Sequence, residues 1–225
     1  MKKISDTMYD LAYYIGEQCA VNEPIRETIG LLRSEMKSFD ITPNTRCEDG
    51  KTLLFYLAAH ATPVILEAAK YLKFDFLARD KFNNTALFEV MSAFAIMRSY
   101  DHDTVGSIEL CVEYGLTFSD TNISNQTPLF GWQLHPKSFG KYQDASDVEN
   151  QVQDYQDIVD CAQGHGAILH HQDNAGRTFL DPLPRQVGAR KFFSENFPDL
   201  HAQVQKQRIL KSVGDVKLIS STRKI

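Results

Sequence analysis

A five-residue pattern of turn-forming and apolar residues occurs four times in this chain of 225 residues. Each copy has glycine or asparagine at its first position, threonine at the third and leucine at the fifth. The copies begin at Gly50, Asn83, Asn125 and Gly176, which gives spacings of 33, 42 and 51 residues. A pattern that returns at such intervals is typical of a repeat protein, in which stacked units bury one continuous core.

The residue types in each copy predict a turn that leads into a helix. Glycine and asparagine adopt a positive φ more readily than other residues, so we expect them at turn tips. The threonine hydroxyl can then cap the first turn of a helix, and the leucine begins its buried face. By the same reasoning, Gly115 and Gly166 end the preceding helices in the left-handed conformation. The capping positions are Thr52, Thr85, Thr127 and Thr178.

The repeats resemble the ankyrin repeat family, whose signature is a turn, the motif T-P-L-H-x-A and two antiparallel helices in about 33 residues. The run Thr127-Pro128-Leu129 matches three letters of that motif in order. Phenylalanine replaces the motif's histidine in three copies and aspartate replaces it in the fourth, which exchanges a polar network for apolar contact. This phenylalanine variant is similar to ankyrin proteins of intracellular bacteria. The replacing residues are Phe55, Phe88, Phe130 and Asp181.

The resemblance implies an all-α fold: an ankyrin repeat solenoid of about five helix-turn-helix repeats with short turns and atypical capping repeats at both ends. We expect the repeat domain to span residues 1–213, and residues 214–225 to form a basic C-terminal tail. The N-terminal cap is expected at about 5–43, and the repeats are expected to start near residues 44, 77, 119 and 170.

Apolar residues at helical spacing support both capping regions. A helix capped by Ser5 or Asp6 is predicted first, and a second helix follows it in the N-terminal cap. Closing helices are expected at 187–193 and 200–213. The apolar positions of the N-terminal pair are Met8, Leu11, Ala12, Ile15, Ile25, Ile29, Leu32 and Met36.

The two longer spacings predict insertions within the repeats. An excess of nine residues falls around 94–103, where part of it is expected to lengthen an inner helix. An excess of eighteen falls between 132 and 153. Apolar residues there keep helical spacing and aspartates occupy the other faces, so we expect an extended acidic outer helix from Asp144 to Asp160.

Charge and cysteine usage exclude several classes of protein. The net charge is −5 although the C-terminal segment is basic, and an acidic body does not favour nucleic-acid binding. No apolar run is long enough to predict a membrane span, and the residues after Met1 do not resemble a secretion signal. Four cysteines without a C-x-x-C pair indicate reduced thiols. We therefore expect a monomeric cytoplasmic protein.

One group of residues has the chemistry to bind a metal or act as a nucleophile: Cys161, His165, His170 and His171. Their helix-to-loop spacing does not match the usual spacing of paired ligands, so we predict structural roles for them. Asp101-His102-Asp103 is interpreted as a solvated loop in the same way. No phosphate loop or nucleophile elbow occurs, and no catalytic residue, metal or cofactor is expected.

The resemblance implies that the chain is a non-enzymatic module that binds another protein through turn tips and the concave inner-helix face. Its likeness to bacterial ankyrin proteins extends this to a secreted effector acting in a host cytosol. The alternative is an enzyme or modifier whose site is built from the insertions at 94–103 and 132–153. Matched to the family's contact positions, the predicted binding residues are Arg46, Glu48, Asp49, Lys51, His60, Arg79, Lys81, Phe82, Asn84, Ile123, Ser124, Gln126, His135, Gln172, Asn174 and Arg177. Phe82 and Ile123 are expected to be solvent-exposed at turn tips. Trp132, beside the second insertion, extends the same surface if the insertion curls toward the concave side.

Overall fold

The computed structural model describes residues 3–19, 24–96, 103–131 and 145–181, and the shorter stretches 195, 197–200, 202–206 and 209–210. Helices are the only regular secondary structure in these residues, which confirms the all-α prediction. In chain order the helices are α1 (Ile4–Gln18), α2 (Ile25–Ser38), α3 (Leu53–Ala58), α4 (Pro63–Tyr71), α5 (Ala86–Ile96), α6 (Thr104–Glu113), a 3₁₀-helix (Pro128–Gly131) and α7 (Ala145–Gly164).

The helices contact one another in two rows. The first row consists of α1, α3, α5 and the 3₁₀-helix, and each of them contacts the next member of that row. The second row consists of α2, α4, α6 and α7, which also contact one another in order. Helices that follow each other in the chain, such as α3 and α4, join the two rows. Each helix pair therefore buries its apolar faces against the pairs on either side.

Every second-row helix ends in the same way. A residue with positive φ stands two residues beyond the helix, and the residue after it donates its N–H to a carbonyl five positions earlier. This arrangement is the Schellman motif, which satisfies carbonyls that a helix end leaves unpaired. The left-handed residues are Asp40 (φ 54°), Lys73 (φ 65°), Gly115 (φ 95°) and Gly166 (φ 83°). The left-handed conformation predicted for the two glycines is thus confirmed, whereas that of the aspartate and the lysine was not predicted.

The turn tips are confirmed as well, since Gly50, Asn83, Asn125 and Gly176 all have φ between 56° and 76°. Each tip lies ten residues after the left-handed residue that ends the preceding second-row helix. The segment from helix end to turn tip is therefore constant in length. Both insertions fall instead between a turn and the next second-row helix end.

The insertions lengthen helices where the structure describes them. Helix α5 has 11 residues whereas α3, its counterpart in the preceding repeat, has six. Helix α7 has 20 residues, which confirms the prediction of an extended acidic helix in the second insertion. The predicted loop Asp101-His102-Asp103 lies outside the described residues except for Asp103, whose carboxylate accepts a bond from the Gly106 N–H at 2.7 Å and caps α6.

The first-row element of the third repeat begins as a 3₁₀-helix, whereas the first-row elements before it are α-helices. The 3₁₀-helix Pro128–Gly131 follows the turn, with Pro128 at its first position, and the described range ends at Gly131. A Cβ at Gly131 would collide with the carbonyl oxygen of Phe88, so this helix packs closely on α5. Of the predicted closing helices, 187–193 lies outside the described residues, whereas 198–200, 202–206 and 209–210 are helical. The tail 214–225 also lies outside them.

Two details of the N-terminal cap differ from the sequence prediction. Helix α1 begins at Ile4 and its N-cap residue is Lys3, so neither Ser5 nor Asp6 caps it. Ile25 is 40% exposed, because it is the first residue of α2 and extends beyond the packed face. The other apolar residues of the pair pack as predicted, and Met8, Ile15 and Leu32 are fully buried.

The threonines after the turns do not cap helices with their hydroxyls as predicted. Thr52 occupies the N-cap position of α3, but its side chain makes no capping bond. The hydroxyls of Thr52, Thr85 and Thr127 are buried without a hydrogen-bond partner among the described residues. The fourth copy differs, because the Thr178 hydroxyl donates to the Asp181 carboxylate at 3.0 Å. The apolar phenylalanine at this position in the other copies leaves the threonine hydroxyl unpaired.

Replacing Thr85 with valine is expected to raise the free energy of unfolding by about 1 kcal/mol, because an unpaired buried hydroxyl costs about that much. The matched variant Thr178→Val should lower it by about 1 kcal/mol, since it removes a bond that is made. Urea denaturation of the two variants measures this difference. Destabilisation of similar size in both would mean that the Thr85 hydroxyl is paired in solution.

Candidate protein-binding surface

The four turns form hairpins with the same backbone hydrogen bonds. In the second hairpin, the Asp80 N–H donates to the Asn84 carbonyl at 3.1 Å, and the Asn83 N–H donates back to the Asp80 carbonyl at 3.0 Å. The corresponding pairs of bonds occur at the other three turns, at 2.9–3.0 Å. The hairpins begin at Cys47, Asp80, Asn122 and Asp173.

Backbone hydrogen bonds also join each hairpin to the next. Lys81 N–H donates to the Asp49 carbonyl at 2.9 Å, and Ile123 N–H donates to the Phe82 carbonyl at 3.0 Å. Asn174 N–H donates to the Ser124 carbonyl at 3.0 Å. The four hairpins therefore form one continuous row, and the residues at their tips have fixed positions relative to one another. We call this row the hairpin surface.

Side chains at the turn tips add a second set of links. The amides of Asn83 and Asn125 donate to the carbonyls of Thr121 and Gln172, at 2.7 and 2.9 Å. Gly50, at the equivalent position of the first hairpin, has no side chain to do this. The guanidinium of Arg46 makes this link instead, because it donates to the carbonyls of Gly50 and Arg79, at 2.6 and 2.8 Å.

In each of the last three hairpins, the side chain of the first residue accepts hydrogen bonds from backbone N–H groups of the same hairpin. The Asp80 carboxylate accepts bonds from the N–H groups of Phe82 and Asn84, both at 2.8 Å. Asn122 and Asp173 accept the corresponding pairs of N–H bonds at 2.9–3.0 Å. Asp80 and Asp173 are buried. The first hairpin has Cys47 at this position and lacks these bonds.

Side-chain hydrogen bonds link residues of the last three hairpins to one another. We call this set of bonds the polar ladder. Asn84 donates to Asp80 at 3.0 Å, and Asn122 donates both to Asn84 at 3.0 Å and to Gln126 at 3.2 Å. Gln126 donates to Asp173 at 3.3 Å, and Arg177 donates to Asp173 at 2.7 and 3.0 Å. The ladder therefore consists of Asp80, Asn84, Asn122, Gln126, Asp173 and Arg177.

The structure brings most of the predicted binding residues together on the hairpin surface, but many of their polar groups are already bonded. Three of them, Asn84, Gln126 and Arg177, belong to the polar ladder. Two more form ion pairs at 2.5 Å, Lys51 with Glu89 and Arg79 with Asp120. Other internal bonds at the hairpins involve Arg46, Asp49, Lys81, Ser124, Gln172 and Asn174.

Three predicted binding residues do not belong to the described surface. His60 is 7% exposed, and a Cβ at Gly16 would collide with its imidazole ring, so it packs between α1 and the end of α3. It is a buried contact of the N-terminal cap, and the prediction that it contacts a partner is corrected. Trp132 and His135 lie outside the described residues.

Two apolar side chains stand at neighbouring hairpin tips and are exposed. Phe82 is 43% exposed and Ile123 is 64% exposed, and the backbone bond between them makes them adjacent. The Lys81 ammonium lies 5.0 Å from the centre of the Phe82 ring. The sequence prediction that this aromatic and β-branched pair is exposed is therefore confirmed. We call these two residues the apolar pair.

Charged groups surround the first two tips. The pKa of Asp49 is lowered by a hydrogen bond from Lys81, with which it forms an ion pair. The pKa of Glu48 is lowered by hydrogen bonds from its own backbone N–H and from Ser5 at the start of α1. Both carboxylates are therefore ionised at neutral pH, and that of Asp49 is paired with Lys81, the residue before Phe82.

The thiols of Cys111 and Cys161 are poor nucleophiles. Burial raises the pKa of the Cys111 thiol to about 12, and burial together with the charges of Glu109 and Asp103 raises that of Cys161 to about 11. A thiol with such a pKa is protonated at neutral pH, whereas the thiolate is the nucleophile. Cys111 is also fully buried, where it packs as a small hydrophobic residue.

Sequence reasoning missed the residues that hold the hairpins, although a signal for them exists. Asp80, Asn122 and Asp173 all lie three residues before a turn tip. Aspartate and asparagine at that position often accept bonds from the N–H groups of the turn.

No family model matches the chain, and no curated protein matches it. In the part of the chain that the structure describes, no helix combines the length and apolar character needed to cross a bilayer. The functional conclusion therefore depends on the hairpin surface and its exposed residues.

Proposed function

We propose that the protein is a non-enzymatic interaction module of the ankyrin type, which binds a partner protein through the hairpin surface. The apolar pair is the observation that carries this proposal. Exposed apolar side chains surrounded by polar groups are typical of the centre of a protein-protein interface. Phe82 and Ile123 are surrounded in this way by Lys81, Asn83 and Ser124, which are also exposed.

The rigidity of the hairpin surface supports the proposal. Tips that are joined by backbone and side-chain bonds lose little conformational freedom when a partner binds, and less binding free energy is spent on ordering them. The polar ladder and the ion pairs provide this rigidity. They also restrict recognition to groups that are not already bonded, so the apolar pair is expected to contribute more to affinity than the bonded arginines and lysines.

The ankyrin assignment is supported by the recurrence of three features at the same spacings of 33, 42 and 51 residues. These features are the Schellman motif, the hairpin and the leucine that begins the buried face. A solenoid of this kind presents its turns side by side, where one partner can contact several repeats.

The variant Phe82→Ser/Ile123→Ser tests the proposed surface. It should weaken partner binding about tenfold or more, a change of about 1.4 kcal/mol. Its melting temperature should stay close to that of the wild type, because both side chains are exposed and the bond that joins their residues is between backbone atoms. Capture of partners from lysate by the immobilised chain, followed by titration of the captured protein, measures the effect. Charge reversal at Arg79 or Lys81 is a poorer test because it breaks internal ion pairs.

The matched control is Tyr71→Ser/Leu77→Ser, which removes two side chains of similar exposure, 64% and 60%, beyond the hairpin surface at and after the end of α4. The control should capture the partner as the wild type does. Equal capture by both double variants and the wild type would place the binding site elsewhere. Turnover of a substrate by the chain without a stable partner would favour the enzyme alternative.

A further inference from the structure

Three side chains with different metal-binding groups converge between the second-row helices α6 and α7. Glu109 lies on α6, Cys161 lies on the last turn of α7, and His165 immediately follows α7. Their ligand atoms, a carboxylate oxygen, a thiol sulfur and an imidazole nitrogen, all lie within 4.8 Å of one another. We propose that Glu109, Cys161 and His165 bind a zinc ion that links α6 to α7.

The local backbone explains why the cysteine and the histidine meet. The N–H of His165 donates to the Cys161 carbonyl at 3.1 Å, so the helical geometry of α7 continues through this residue. Residues four apart on a helix lie on the same face. Helix-based zinc sites use this spacing for paired ligands. In the sequence, His165 lies beside the glycine that ends the helix, and its interpretation together with the loop residues His170 and His171 hid the spacing.

The third ligand could not be identified from the sequence, because Glu109 is 52 residues before Cys161. Contact between α6 and α7 brings it to the pair. Among the described residues, Glu109 and His165 make no other side-chain hydrogen bond or ion pair, so both are available as ligands. Cys161 is half-buried and the other two are exposed, which leaves the cluster open to solvent on one side.

The donor set fits zinc better than other divalent ions. Thiolate and imidazole favour zinc over magnesium and calcium, which prefer oxygen ligands only. A tetrahedral zinc site needs ligand atoms about 3.3–3.6 Å apart, given its bond lengths of about 2.0–2.3 Å. Rotation of exposed side chains closes the remaining distance. Three protein ligands leave the fourth position to water, and the thiol proton is released to solvent when the metal binds.

The charge around the cluster supports a cation. Burial disfavours a bare thiolate at Cys161, and the negative charges of Glu109 and Asp103 add to this effect. A bound zinc ion reverses this effect, because it neutralises the carboxylate and the thiolate together. The metal would thereby fasten the long acidic helix of the second insertion to the helix before it.

The test uses the full chain without an affinity tag and cobalt(II) as a spectroscopic substitute for zinc. We expect one cobalt ion per chain with a sulfur-to-metal charge-transfer band, and displacement of cobalt by zinc. The variant Cys161→Ser should lose the band. Glu109→Gln and His165→Gln should bind zinc about a hundredfold more weakly, since loss of even an outer-shell partner costs about 10–100-fold. Zinc should also raise the melting temperature of the wild type, and not that of the variants.

Matched controls come from the same two regions of the chain. Glu113→Gln removes a carboxylate one turn further along α6, and His170→Gln removes a histidine from the following loop; both should bind cobalt and zinc as the wild type does. Far-UV circular dichroism without metal verifies that each variant folds. Cobalt binding without a charge-transfer band, equal zinc affinity in Cys161→Ser, or no stoichiometric binding would overturn the proposal.

Discussion

Replacement of Leu54, Leu87 or Leu129 by alanine is expected to lower the free energy of unfolding by about 2–5 kcal/mol in each case. All three leucines are buried, with 0–1% of their surface exposed. They occupy the same position of successive repeats, and each lies on a first-row helix that contacts its neighbours in the row. Truncation therefore leaves a cavity where two repeats meet. Urea denaturation of the three variants measures the loss.

The control for this prediction is truncation of exposed residues on a second-row helix. Arg33→Ala and Ser34→Ala on α2 should change the free energy of unfolding by no more than about 0.5 kcal/mol. Lys51 and Asn84 are less suitable controls, because the first forms an ion pair with Glu89 and the second belongs to the polar ladder. Similar denaturation midpoints for the leucine variants and the controls would show that the leucines are not equivalent core positions.

The positions of the turns could be predicted from the sequence because the local chemistry determines them. A glycine or asparagine four residues before a leucine, with threonine between them, was sufficient to locate Gly50, Asn83, Asn125 and Gly176. The preference of glycine for the left-handed conformation at a helix end identified Gly115 and Gly166 in the same way. Asp40 and Lys73 adopt that conformation too, but their residue types do not indicate it. The Schellman bonds and the packing of the next residue hold them there.

The use of the polar side chains could not be predicted from local sequence. Family positions suggested that Asn84, Gln126 and Arg177 contact a partner, whereas the neighbouring hairpins use them for internal bonds. Which of these two roles a side chain has depends on the stacking of repeats that are more than 30 residues apart. The exposure of Phe82 and Ile123 was easier to predict, since an apolar residue at a turn tip has few neighbours to cover it.

The sequence predicted the long helix α7 but not the 3₁₀-helix of the third repeat. The apolar spacing in the second insertion predicted α7, because a long amphipathic stripe is a strong signal. The 3₁₀ geometry at Pro128–Gly131 was not predicted, since Pro128 and Leu129 match the family motif at the start of an α-helix. The close packing of this 3₁₀-helix on α5, which Gly131 permits, is a property of the assembled array.

Replacement of Asp173 by alanine is expected to lower the free energy of unfolding by about 3 kcal/mol, because several donors lose a charged acceptor at once. The carboxylate accepts bonds from the N–H groups of Ala175 and Arg177, from the Arg177 guanidinium and from the Gln126 amide. Asp173 is buried, so water cannot fully replace it. The loss should appear in urea denaturation at neutral pH.

The same carboxylate gives the protein a predictable sensitivity to acid. Burial alone would raise the pKa of Asp173, but the hydrogen bonds from Arg177, Ala175 and Gln126 outweigh burial and lower it. The folded protein therefore binds this proton more weakly than the unfolded chain does. The stabilisation is fully present above the unfolded pKa of about 4 and is lost as the pH falls through the lower folded pKa. The stability of Asp173→Asn, which has no such proton, should depend less on pH in this range.

Asp75 provides the control, because its carboxylate accepts one bond from a backbone N–H two residues later and does not belong to the polar ladder. Its carboxylate accepts from the Leu77 N–H at 3.0 Å, but the residue is exposed and water can replace it when the bond is lost. Asp75→Ala should therefore cost no more than about 1 kcal/mol, well below the loss in Asp173→Ala. If the two alanine variants lose equal stability, the polar ladder adds nothing beyond a single turn bond. In that case the rigidity attributed to the hairpin surface would come from its backbone bonds alone.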